Sequence, residues 1–104
     1  MNLLPKGLEK KFPSLGLTAG LDPKDIPIVA KFFDPTGSWA WYATEGERDG
    51  DDFIFFGYVR GFDNELGNFS LSELQEAKCL FGLGIERDLH FKNHKLSEAM
   101  KERI

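Results

Sequence analysis

Three side chains near the end of the sequence, Glu86, Asp88 and His90, are of the types that perform acid–base chemistry. In a strand over residues 85–91, side-chain alternation would place all three on one face and Arg87 on the other. Two carboxylates and one imidazole can act as general acid and base, or bind a hard or borderline metal ion. Same-face neighbours lie about 6.5 Å apart, which is too wide for three direct ligands, so we expect no metal site. The alternative is a solvated face with the Arg87 stem packed on the core side.

A second group of charges forms the acidic segment 45–52, in which only Arg48 is basic. Its carboxylates are Glu45, Glu47, Asp49, Asp51 and Asp52. They could hold a divalent cation, or imitate nucleic-acid phosphates, and Glu45 could assist the acid–base group. The run from Asp49 lacks the sixth-position glycine and the closing glutamate of a calcium loop. A charged hairpin tip that prevents edge pairing is the usual explanation of such a segment.

Aromatic residues are concentrated between Lys31 and Phe69. Alternation predicts that Trp39 and Trp41 share one strand face and that Tyr42 takes the other. If exposed, such side chains stack on bases or anchor a protein partner, and if buried they are core. The sequence leaves both alternatives open. The candidate binding residues are therefore Trp39, Trp41, Tyr42 and Arg87.

Apolar runs with a period of two predict the strands that would position these residues. The predicted strands cover residues 28–33, 38–44, 52–62, 65–69 and 85–91. Asp49-Gly50 and Asp63-Asn64 mark turns between them. The run 52–62 is apolar on both faces in its middle, which predicts a strand covered on both sides.

A helical period follows at Ser70, which fits a capping box with Glu73. We expect this helix to reach Gly82, to contain Cys79, and to bury Leu74 and Phe81 together with Phe55 or Phe56. Shorter helices are predicted over residues 4–12 and 96–104. The order is α-β-β-β-β-α-β-α, which predicts a single α+β domain over residues 1–104. Its antiparallel meander would have four to five strands, with two to three short helices.

Composition disfavours several classes of protein function. The chain has 104 residues and a net charge of −4, which disfavours a nucleic-acid binder that depends on counterion release. The single cysteine cannot form an internal disulfide, and reduced thiols are typical of the cytoplasm. No apolar run approaches the length of a membrane span and no signal peptide is evident, so we expect a cytoplasmic protein. No motif for a cofactor is present, and we expect none.

Three blocks of sequence occur together and carry a resemblance to a known family. They read KFFDP at 31–35 with WAWYATE at 39–45, FFGYV at 55–59 with ELGNFSL at 65–71 and EL at 73–74, and GIERDLHF at 84–91. The chain resembles a family of small bacterial proteins known only as a domain of unknown function. Members are common on plasmids, phages and integrative elements. The resemblance implies a mobile-element protein, and no catalytic residues can be transferred from it.

Three functions remain compatible with these residues. The first is a non-enzymatic interaction module that binds a protein partner or a second copy of itself through the aromatic sheet and the Glu86-Arg87-Asp88 strand. The second is a small metal-dependent or acid–base hydrolase that uses Glu86, Asp88 and His90. The third is a nucleic-acid accessory protein with Trp39, Trp41 and Arg60 as contacts, which the net charge disfavours. The absence of a recognisable catalytic motif favours the first.

Overall fold

The computed structural model describes residues 1–77, 79 and 82–101. In this part of the chain, five strands form one antiparallel sheet, β1 (Ala30–Phe33), β2 (Ala40–Asp49), β3 (Asp52–Arg60), β4 (Asn64–Ser70) and β5 (Glu86–Arg87). The helices are α1 (Lys6–Glu9), α2 (Leu71–Glu76) and α3 (Leu96–Lys101), with a 3-10 turn at Pro23–Asp25. The sheet order is β4-β3-β2-β1-β5. The predicted α+β meander with short helices is confirmed.

The sheet is covered on both faces, as the apolar run in β3 predicts. On the front face, Phe32 and Phe55 pack with Leu74 of α2 and with Leu3 and Leu4 from the N-terminal segment. A second cluster covers the back face, where α3 and the segment after the 3-10 turn contribute apolar side chains. Its buried members are Ile26, Ile28, Ala40, Tyr42, Tyr58, Leu96 and Ala99.

A β-bulge in β2 changes which face its later side chains occupy. Ala43 pairs with Gly57 and Glu45 pairs with Phe56, so Thr44 is an extra residue on β2. The extra residue moves Glu45 from the front face to the back face. Gly57 is required beside the bulge, because a Cβ there would lie 1.8 Å from the carbonyl oxygen of Tyr42.

The predicted start of the second helix is confirmed. The hydroxyl of Ser70 accepts a hydrogen bond from the Glu73 amide at 3.1 Å, so Ser70 is the N-cap. Asp52, at the start of β3, accepts hydrogen bonds from the amide of Ser72 at 3.1 Å and from its hydroxyl at 2.7 Å. These bonds attach the first turn of α2 to the sheet.

The second helix is shorter than predicted. It ends at Glu76, because Ala77 is extended with ψ at 134°. Cys79 therefore follows the helix, and its amide donates to the carbonyl of Leu83 at 2.8 Å. Leu74 is 2 % exposed and packs with Phe55, as predicted, whereas Phe81 lies outside the described residues.

The fifth strand is also shorter than the predicted 85–91, because it pairs with β1 only through residues 86 and 87. The amide of Asp88 still donates to the carbonyl of Lys31 at 2.9 Å. The Asp88 carboxylate then accepts a hydrogen bond from the amide of His90 at 2.9 Å. This local turn ends the strand and breaks the alternation on which the acid–base group depends.

Candidate functional site

The structure does not bring Glu86, Asp88 and His90 into one site. Glu86 is on β5, whereas His90 is exposed in the turn that the Asp88 carboxylate holds. Asp88 lines a small cavity beside Lys31 and a second beside Leu89, and neither cavity contains Glu86 or His90. No group of three His, Cys, Asp or Glu residues with metal-site geometry occurs within residues 1–77, 79 and 82–101. Catalysis by these three residues stays a prediction without converging geometry to support it.

Several charged side chains of the acidic segment have internal partners. The Glu47 carboxylate accepts a hydrogen bond from the amide of Leu15 at 2.9 Å. Hydrogen bonds from Ser72 and Phe53 lower the pKa of Asp52. Arg48, the basic residue of the segment, forms an ion pair with Glu9 at 2.6 Å. Three residues of this charged hairpin thus attach neighbouring segments to the sheet.

Three aromatic side chains, of which one is exposed, cluster at the end of the sheet where β1 turns into β2 and β3 turns into β4. We call Trp39, Trp41 and Phe62 the aromatic corner. The Trp39 ring lies 5.7 Å from that of Trp41 and 5.2 Å from that of Phe62, which meets it edge-on at 83°. Trp39 lies over Gly61, where a Cβ would come within 2.4 Å of the indole. Phe62 is 93 % exposed, so the corner presents an apolar side chain to solvent.

The other candidate binding residues are placed differently. Trp41 is partly buried and packs against the front-face core with Val59. Tyr42 is fully buried in the back-face cluster, which is the core alternative for this side chain, and its role in binding stays a prediction. The Arg87 guanidinium donates to the carbonyl of Asn2 at 2.7 Å, which holds the N-terminal segment against the sheet. The sequence could not identify Phe62, because its exposure depends on how the turn is placed.

A cavity of about 570 Å³ lies on the back face, between the sheet and the segment 15–21. We call it the loop cavity. Its walls are mainly apolar, with Leu15, Ala19, Leu21, Pro23, Ile26, Phe56, Leu66 and Leu96 among the lining residues. Successive turns shape the segment 15–21, in which Gly16 and Gly20 have φ angles of 88° and 89°. Such angles favour glycine.

Glu45 connects this segment to the sheet and lines the loop cavity. Its carboxylate accepts hydrogen bonds from the amide of Gly16 at 2.7 Å, the amide of Thr18 at 2.8 Å and the hydroxyl of Thr18. Burial alone would raise the pKa of Glu45, but the hydrogen bonds from Thr18 and Gly16 outweigh it and lower the pKa. Glu45 is 3 % exposed and ionised at neutral pH. The sequence singled out Glu45 as part of an acidic hairpin and as an aid to the acid–base group, and it gave no sign of the contact with the segment 15–21.

The thiol of Cys79 is partly exposed but stays protonated. Burial, followed by the hydrogen bond and charge of Asp34, raises the pKa of the Cys79 thiol to about 11. A thiol that stays protonated is a poor nucleophile, which agrees with the absence of an adjacent base in the sequence.

The fold and these surfaces define a small α+β domain built on one antiparallel sheet that is covered on both faces. Comparison with protein families matches residues 7–102 to a family described as "Protein of unknown function (DUF2958)". The match spans most of the chain, and the chain belongs to this family. Comparisons with curated proteins and with solved structures found no match. Across residues 1–77, 79 and 82–101, the helices are too short or too polar to cross a membrane.

Proposed function

We propose that this protein is a non-enzymatic, cytoplasmic interaction module of a bacterial mobile element, and that the aromatic corner contacts its protein partner. The observation that carries the proposal is Phe62, an aromatic residue that is 93 % exposed and supported from behind by Trp39. Leaving a phenylalanine in water forgoes about 1.5–3 kcal/mol of burial free energy. An exposed aromatic residue on a rigid support is typical of a surface that a partner covers.

The support of Phe62 favours a specific contact. Trp39 is held against Gly61 and Trp41, and its carbonyl accepts a hydrogen bond from the amide of Asp34 at 3.0 Å. A pre-positioned aromatic anchor loses little conformational entropy when it binds. Exposed polar residues, Ser38, Asp63 and Glu65, adjoin the corner in sequence and supply the polar rim that interfaces have around an apolar centre.

The experiment compares capture from a bacterial host lysate by immobilised wild type and by Phe62→Ser. A central aromatic anchor contributes about 2 kcal/mol or more to binding, so we expect affinity for the captured protein to fall about 30-fold or more. Leu89→Ser is the matched control, because Leu89 is 59 % exposed on a different part of the surface. The melting temperatures of both variants should stay within about 4 °C of wild type, since neither side chain is buried.

Sedimentation of the purified protein shows whether the partner is a second copy of the chain. If the wild type is a dimer and Phe62→Ser a monomer, a second copy of the chain covers the corner. Equal capture by wild type and Phe62→Ser, together with equal sedimentation, would refute the assignment of the aromatic corner as the contact surface.

A further inference from the structure

We propose that the loop cavity binds a small amphipathic amine, with its ammonium group facing Glu45 and its hydrocarbon body against the apolar walls. The inference is independent of the aromatic corner, because none of the residues that line this cavity belongs to that surface.

The size and lining of the cavity suit a small ligand. Its volume of about 570 Å³ lies within the roughly 300–1,000 Å³ typical of small-molecule sites. Phe56 and Leu96 line it from the sheet and from α3. Leu21 and Leu66 also line it and are 52 % and 45 % exposed, so the cavity opens to solvent between them.

Charge selects the class of ligand. Glu45 is the only charged residue that lines the loop cavity within the described chain. No Lys, Arg or His of the described residues forms an ion pair with Glu45, whose partners are the amides of Gly16 and Thr18 and the Thr18 hydroxyl. These three donors leave part of the acceptor capacity of the carboxylate unused, since two carboxylate oxygens accept about four hydrogen bonds.

An ammonium group would complete this environment. A charge-assisted hydrogen bond between an ammonium group and a carboxylate is stronger than a bond to a neutral hydroxyl. A low-dielectric wall increases the attraction further. An anionic ligand of the same shape would face the charge of Glu45 at close range, and a purely apolar one would leave the remaining acceptor capacity unused.

The test measures binding of octylamine, 1-octanol and octanoate at neutral pH by titration calorimetry and by nuclear magnetic resonance of the protein amides. Octylamine should bind about tenfold more tightly than 1-octanol, and octanoate more weakly than both. The amide resonances of Gly16 and Gly20 should shift on titration. Those of Gly82 and Gly84, which lie beside a different cavity, should not.

Two variants separate the charge from the cavity walls. Glu45→Gln should remove the selectivity, lowering the ratio of octylamine affinity to 1-octanol affinity from about tenfold to about one. Leu66→Arg places a cation at the mouth and should also weaken octylamine selectively. Leu83→Arg is its matched control, because Leu66 and Leu83 are both 45 % exposed and only Leu66 lines the loop cavity.

The site is supported if the wild type prefers the amine to the alcohol and the resonances of Gly16 and Gly20 shift on titration. Leu66→Arg should remove this preference for the amine, and Leu83→Arg should not. Because this comparison does not need the Glu45 variant, it holds even if Glu45→Gln fails to fold. Equal affinity for amine and alcohol, or shifts confined to other residues, would overturn the proposal. Concentration-dependent shifts of Gly16 and Gly20 without ligand would assign the cavity to a second copy of the chain, and would overturn it as well.

Discussion

Replacing Glu45 with glutamine should lower the free energy of unfolding by about 3.5–5 kcal/mol at neutral pH. The carboxylate accepts three hydrogen bonds, from the amides of Gly16 and Thr18 and from the Thr18 hydroxyl. A charge-assisted hydrogen bond contributes about 1.5–3 kcal/mol and a neutral one about 0.5–1.5 kcal/mol, so each retained bond loses about 1 kcal/mol. Glutamine also turns an amide donor toward a backbone donor, which removes at least one bond.

The pKa of Glu45 determines how its contribution to stability changes with pH. The pKa of Glu45 is lower in the folded chain than its ordinary value, so its ionised form stabilises the fold. This stabilisation is complete above the ordinary glutamate pKa of about 4.3, and it is lost as the pH falls through the lower, folded value. The stability difference between wild type and Glu45→Gln should therefore be largest near pH 7 and shrink below about pH 4.

The assay is urea unfolding of both proteins at pH 7 and at acidic pH, followed by tryptophan fluorescence. Glu47→Gln is the control on the same strand, because the exposed Glu47 carboxylate binds only the Leu15 amide in this segment. Its effect should be much smaller than that of Glu45→Gln. A Glu45→Gln protein as stable as wild type at pH 7 would refute the anchoring role of Glu45, and so would a stability difference that grows on acidification.

Two further predictions concern α2 and Cys79, which lies beyond the end of that helix. Leu74→Ala should cost about 2–5 kcal/mol in urea unfolding, because Leu74 is 2 % exposed against Phe55. Leu71→Ala, at a partly buried position, should cost less, and equal costs would contradict the packing of α2. Alkylation of Cys79 by iodoacetamide at pH 8 should be slower than that of a free thiol by about a hundredfold, since its pKa is raised to about 11. The rate should become normal in urea, and a native reaction as fast as that of a free thiol would contradict the raised pKa.

Local sequence determined the order of elements and several of their ends. The middle of the run 52–62 is apolar on both faces, which predicts a strand covered on both sides whichever strand lies beside it. The Ser70 cap is similarly local, because its hydroxyl reaches an amide only three residues away. The shared contact of Trp39 and Trp41 follows from a spacing of two along one strand.

Tertiary structure determined which residues come together in the candidate sites. The bulge at Thr44 depends on the partner strand, and it moves Glu45 to the face that alternation from Ala43 would not give it. The length of β5 depends on its two-residue pairing with β1, so the acid–base group predicted on one strand face is dispersed. Exposure of Phe62 and burial of Tyr42 are set by which segments cover each end of the sheet. Burial and cross-strand pairing join residues distant in sequence, and periodicity along one segment carries no information about those partners.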